Sequence, residues 1–427
     1  MNAYHIADGG FYNQNGLIFT IPTIAGAADH PLQTVRRTDA GWFVGAPQNR
    51  LGYGVKWNLD GVVTSVTASD RGYSMKCPVS APLDDVENLT KIPFRYYGIV
   101  YDSKRERYYA SPPTFPQQQS VAEKNRLAIV DPETATVTYS DNVIGADPGL
   151  IAISADGDSL YVSFNKRRDV YLGESNVTGE IIKLGLPDLN EQWRVELPRV
   201  PGTTDHIFVQ DIAVSPAEPD TIAVSLNGTS NKGLIVIRNG VIDPALRIYA
   251  TANTSITFDG SGEFVYGFTS TPLQDGSSGL RRIKILSDSL LEESFSPTPN
   301  ALDHAAGKLY WHADQLIVGK RVYRTPDMTP IGTVDVLSAI CRPFSLSRLL
   351  CSNHPSSVVS ESTVLSIAIV DSADLSVIDT VEYYRGPLSE DIGITGILPG
   401  KPGQILLRIK NGRPSSALWL LSDDKFR

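Results

Sequence analysis

One unit recurs along this chain at intervals of roughly 37–61 residues, and such recurrence restricts a sequence to repeat architectures. The clearest copy is the apolar run Gly149–Ser154, a turn Ala155–Asp158, and a second apolar run Ser159–Phe164. Asp156-Gly157 between two such runs is a hairpin cue, because Gly accepts the positive φ that tight turns need. The same hairpin is read at Gly98–Tyr101 with Arg107–Ala110, Asp211–Ser215 with Thr221–Ser225, and Ser255–Phe258 with Phe264–Gly267. It is read again at Leu302–His304, turning through Ala305–Gly307 into Lys308–Trp311. Ala339–Cys341 with Leu349–Cys351, and Ile392–Thr395 with Gln404–Leu407, complete the set.

A second hairpin follows the first in several copies. Arg126–Val130 precedes Asp131–Thr134 and Thr136–Tyr139, Leu365–Val370 precedes Asp371–Asp374 and Ser376–Ile378, and Glu180–Leu184 precedes Trp193–Leu197. A four-stranded sheet with two apolar faces cannot bury itself, but radial stacking on its neighbours buries both. The repeat therefore predicts an all-β chain: a seven-bladed β-propeller of four-stranded antiparallel blades over residues 94–427. Residues 1–93 fit the repeat poorly and read as a small β-rich N-terminal extension, with an eighth blade as the rival. Pro82–Glu87 reads as a linker.

The last copy ends on Ala417–Leu421, six residues before the C-terminus, and lacks an outer strand. That strand is expected from upstream of residue 95, with Val62–Thr67 and Leu17–Ile21 as the two candidates.

The stretch Ala146–Ser163 resembles the YVTN-type repeats of bacterial seven-bladed propellers, and 211–225 and Gly307–Tyr310 look similar. The resemblance covers the propeller part of the chain. It implies a relation to large surface or secreted proteins, beside lactonase-like enzymes and the β-chain of quinoprotein amine dehydrogenases. It is specific for fold, because the motif residues are turn and core residues rather than chemistry.

Net charge is −9, and the short basic clusters Lys104-Arg105, Lys166–Arg168 and Arg281-Arg282 are diluted by nearby acids. A chain that grips phosphate backbones carries a basic face, so nucleic acid is disfavoured as a partner. No apolar run is long enough for a transmembrane helix. The N-terminal Met1–Asp8 lacks the basic and apolar regions of a signal peptide, which fits either a chain without one or a mature form. An extracytoplasmic, cell-surface or virion location is expected from the resemblance. Three cysteines are too few for a disulfide framework or a recognisable zinc site. Cys341 and Cys351 flank a turn near Phe344–Ser347, so they form either a cross-strand disulfide or two buried thiols; Cys77 has no evident partner.

Antiparallel order, with the strands of a blade lettered a to d from the axis outward, puts the a–b and c–d turns on one face of the disc. The b–c and d–a loops lie on the other. The b–c loops are long and irregular, and variable loops on a rigid scaffold carry recognition. Phe115, Gln117, Gln118, Gln119, Arg167, Arg168 and Tyr171 mix rings, amides and guanidinium groups there, and His206 belongs to an Asp-His pair on the same side. Such a mixture suits stacking on a sugar or gripping a protein. The expected function is a non-enzymatic binding module for a protein or glycan, with a lactonase-like hydrolase at the channel mouth as the alternative. An electron-transfer partner is a third reading.

No cofactor is expected. Asp211 and Asp391 occupy matching positions in Gln210–Ala213 and Glu390–Gly393 and are the candidate metal pair, for calcium, which wants several oxygens. Each could instead cap its own loop. The pairs Asp29-His30, Asp205-His206 and Asp303-His304 do not form self-evident working units, since strand neighbours point to opposite faces. Asn88, Asn176, Asn227 and Asn253 lie in N-x-S/T sequons, a number near chance.

Overall fold

The computed structural model describes residues 87–92, 96–111, 125–142, 144–145, 148–165, 179–198, 208–227, 233–249, 253–269, 279–298, 308–336, 340–353, 363–386, 392–411 and 416–427. It also describes the backbone of seven strands between residues 5 and 69.

Seven four-stranded antiparallel sheets make up the main unit. Their inner strands are Ile99–Asp102, Pro148–Ile153, Phe208–Val214, Ser255–Phe258, Leu309–His312, Cys341–Ser345 and Ile392–Pro399, and the blades are numbered 1 to 7 in that order. Each inner strand neighbours the next, and the last returns to the first. The chain is therefore a closed seven-bladed β-propeller. The 3₁₀ turn Asp424–Phe426 is its one helical element among the described residues, and no helix there is long and apolar enough to cross a membrane.

Burial explains why the strands read as apolar runs rather than as strict alternation. On the second strand of blade 1, Tyr108 packs with Leu406 and Leu420 of blade 7, whereas Tyr109 packs with Leu160 and Val162 of blade 2. On blade 2, Leu160 faces back to blade 1 while Tyr161 packs forward on Ile222 and Val224 of blade 3. Successive side chains point to opposite faces, and here both faces are core. Each fully buried Leu, Ile or Val contributes about 1.5–3 kcal/mol, and each seam holds several.

The ring closes with Leu89–Ile92, which pairs antiparallel with the third strand of blade 7, Ser416–Ser422, in the register Leu418↔Ile92 to Leu421↔Leu89. Neither expected stretch performs this closure. Val63–Ser69 pairs within a separate sheet with Thr34–Thr38, Gly41–Ala46 and Leu51–Trp57, and Gly16–Thr20 lies in a three-stranded sheet with His5–Ala7 and Gly10–Asn13. Those two sheets belong to a compact unit Met1–Pro82, and the ring belongs to Leu83–Arg427.

Blade 5 also departs from expectation. Lys308–Trp311 was expected as a second strand, but Leu309–His312 is the inner one and pairs with Gln315–Val318. The two-residue turn between them is Ala313-Asp314, with φ of 46° and 60°. Two positive φ values are the signature of a type I′ hairpin, formed here without Gly. In blade 6, Cys341 and Cys351 stand directly opposite each other with Cα atoms 4.1 Å apart and are joined by a disulfide. The Cys341 N–H donates instead to Gly319 O of blade 5 at 2.9 Å, so this is a non-hydrogen-bonded pair, whose side chains approach closely.

Candidate functional site

The inner strands are tied to one another by buried polar groups. Just past the second strand of blade 1, Ser111 accepts the Gly98 N–H at 2.9 Å and donates to Gly149 O of blade 2 at 2.5 Å. In blade 3, Ser225 donates to Asn253 O of blade 4 at 2.5 Å. In blades 2 and 6, Ser163 and Ser352 accept the N–H groups of Leu150 and Ile340.

Asp211 is the densest of these ties. Its Oδ1 accepts the Ile212 N–H at 2.9 Å; its Oδ2 accepts the Ser255 hydroxyl at 2.8 Å and the Ile256 N–H at 2.9 Å. Ser255 Oγ in turn accepts the Leu309 N–H at 2.9 Å, so one carboxylate links the inner strands of blades 3, 4 and 5. Lys308 Nζ lies 3.4 Å from Asp211 Oδ1. Asp211 thus sits within its strand, not at its start, and bonds backbone N–H groups as a structural carboxylate does. Among the described residues no group of three or more His, Cys, Asp or Glu could hold a metal ion. Asp391 lies outside the described residues.

Along the axis runs a cavity of about 340 Å³. It follows the inner strands of blades 1 to 5, from the level of Lys308 and Leu309 to the a–b turns at Pro216 and Asp259. Ile153, Val214, Phe258, Tyr310 and Trp311 make its wall mostly apolar. Asp259 is engaged at its mouth, accepting Ser261 Oγ–H at 2.5 Å and the Phe264 N–H at 3.1 Å. Arg342 lies over the Tyr310 ring, 5.4 Å from its centroid, and donates to Ile397 O at 2.9 Å.

The a–b turns form a short, interlocked surface. Lys104 bonds Asp158 at 2.6 Å and Arg105 bonds Gly157 O at 2.6 Å, joining blades 1 and 2. The Lys104 hydrogen bond, supported by Arg105, holds the Asp158 carboxyl below the usual carboxylate range. Lys183 pairs with Asp220, and the Tyr161 hydroxyl donates to Pro219 O, both joining blades 2 and 3. The longest a–b connection runs from 215 to 220. On the other side, the b–c connections of blades 1, 2, 4 and 6 are long, at 111 to 127, 166 to 178, 270 to 278 and 354 to 362, while those of blades 3, 5 and 7 are short, at 228 to 232, 319 to 320 and 412 to 415; d–a connections include 197 to 207 and 298 to 308.

Of the residues singled out from sequence, Phe115, Gln117, Gln118, Gln119, Arg167, Arg168, Tyr171 and His206 lie outside the described residues, as do the three Asp-His pairs. Sequence reading missed Lys308 and Trp311 as lining of the axis because it placed them one strand too far out. Asn253 is 1% exposed, so its sequon is closed to modification.

No family model and no curated protein match the chain. Among solved structures 874 chains match. One is the Cps50 (Swd1) β-propeller domain of Myceliophteria thermophila, at 13% identity and a TM-score of 0.49, covering 78% of this chain and 99% of that domain.

Proposed function

We propose that this chain is a non-enzymatic binding or assembly module that offers its b–c and d–a loop face to a protein or glycan, within a bacterial surface, secreted or virion assembly. The observation that carries this reading is an asymmetry of the connections: no a–b turn is longer than the six residues 215–220, whereas on the other face the b–c connections of blades 1, 2, 4 and 6 and the d–a connections 197–207 and 298–308 are all longer than that. A rigid ring with variable loops on one side is a recognition platform. Phe115, Gln118, Arg167, Arg168, Tyr171 and His206 lie in the sequence between strands of blades 1 to 3, and this reading takes them as the contact. The YVTN-type resemblance of 146–163 favours the bacterial surface setting. The Cys341–Cys351 disulfide supports an extracytoplasmic location, since such bonds persist in oxidising compartments.

The test is a glycan array and a partner screen on the purified chain, repeated after residues 112–124 and 166–178 are each replaced by a short Gly-Ser linker. Binding should be lost in the shortened chains and kept in Lys104→Ala on the opposite face. A signal indifferent to both replacements sinks the reading, and turnover of a lactone panel would favour the hydrolase.

A further inference from the structure

We infer that the axial cavity is a site for a small organic molecule with an apolar, ring-sized body and one carboxylate, the carboxylate docking on Lys308. A volume of about 340 Å³ lies within the range of small-molecule pockets, which combine an apolar wall with a few polar groups. Ile153, Val214 and Phe258 supply that wall. Trp311 is a fixed platform rather than a swinging one: its ring packs so closely on Gly260 that a Cβ there would collide with it.

The sign of the ligand follows from which charges are already engaged. Asp211 holds three protein donors, and Asp259 holds two. Lys308 carries three donors, and its contact with Asp211, at 3.4 Å, is long for a hydrogen bond. Its side chain is 48% exposed. Arg342, over Tyr310, adds a second positive charge beside the wall. An entering carboxylate therefore meets an ammonium with unused donors at the Lys308 end, where the oxygens of Asp211 are already filled; Asp259, which keeps acceptor sites, lies at the other end beside the a–b turn. A charge-assisted bond is stronger than a neutral one, and the apolar wall supplies the rest of the binding.

The probes are 1-naphthoate, neutral 1-naphthalenemethanol and cationic 1-naphthylmethylammonium, titrated into the full chain by calorimetry and by saturation-transfer NMR. Naphthoate should bind saturably at one site and more tightly than the other two. Lys308→Met should weaken naphthoate by about tenfold or more and leave naphthalenemethanol unchanged, as loss of one charge-assisted bond implies. Val214→Trp, which fills the cavity, should abolish both; circular dichroism checks its fold, and Lys308→Met carries the test if it fails. Absence of saturable naphthoate binding, tighter binding of the cation, or a Lys308→Met chain that binds naphthoate as before overturns the inference.

Discussion

Asp211 accepts the hydroxyl of Ser255 at 2.8 Å across the seam between blades 3 and 4, and both partners are buried. The same carboxylate oxygen takes the Ile256 N–H, so removing the side chain strands a hydroxyl and two amides at once. Asp211→Ala should cost about 3 kcal/mol in urea unfolding, the range for buried hydrogen bonds to a charged group. The exposed Lys308 contact adds little to this. Asp211→Asn should recover part of the loss, because the amide keeps one acceptor. A cost below about 0.5 kcal/mol for the alanine variant, the level of an ordinary surface substitution, would contradict the tie.

The chain has three cysteines and the structure pairs two of them. Thiol titration of the denatured, unreduced protein should therefore find one reactive thiol, and reduction should release the other pair. Cys341→Ser with Cys351→Ser should lower stability by about 2–4 kcal/mol through the looser unfolded chain. Three titratable thiols before reduction would show that the hairpin is not cross-linked.

Leu89 and Ile92 are 5% and 0% exposed, so a strand of only four residues seals the last sheet. A chain beginning at Leu83 should keep the cooperative unfolding of the ring. One beginning after Ile92 should expose Trp419 and its strand edge, with red-shifted tryptophan emission and self-association. Equal behaviour of the two truncations would show that the strand is dispensable.

Buried tyrosines set the alkaline limit of the fold. Burial, with Glu106 and Asp102 nearby, pushes Tyr101 up to about 12 from an ordinary value of 10.0, and burial drives Tyr96, Tyr108, Tyr161 and Tyr383 further in the same direction. The folded state thus holds these protons more tightly than the unfolded state does. Their contribution is complete below about pH 10 and is lost as pH rises above it. Phenolate absorbance should rise together with unfolding in that window. Ionisation of every tyrosine near pH 10 with the structure intact would rule this out.

The blades are legible in the sequence because sheets with two buried faces leave long apolar runs, and Gly157, at φ 71°, marks its turn openly. Blade 5 was misplaced because Ala313-Asp314 adopts the same backbone without Gly. Leu89–Ile92 was passed over because it shows only two apolar residues, at its ends, with Thr90 and Lys91 exposed between them. Asp211 was visible as a carboxylate, but Ser255 and Ile256 are supplied by the next blade and no local pattern links them to it. Gly267 shows the same limit. It stands where blades 1, 2, 3 and 6 carry Ser, and the Asn253 amide fills the space that its missing Cβ leaves.

Because one sheet draws on both Leu89–Ile92 and Ser416–Ser422, its first strand leaves the ribosome long before its last. A nascent chain can stack blades in order as they emerge, yet Ile92 must wait for its partner Leu418 until the six blades between them have been made. A chain that stops between blade 6 and Ser416 would then be an open crescent with two sticky ends, and cells would see it as a substrate for chaperones rather than as a shortened version of the same protein.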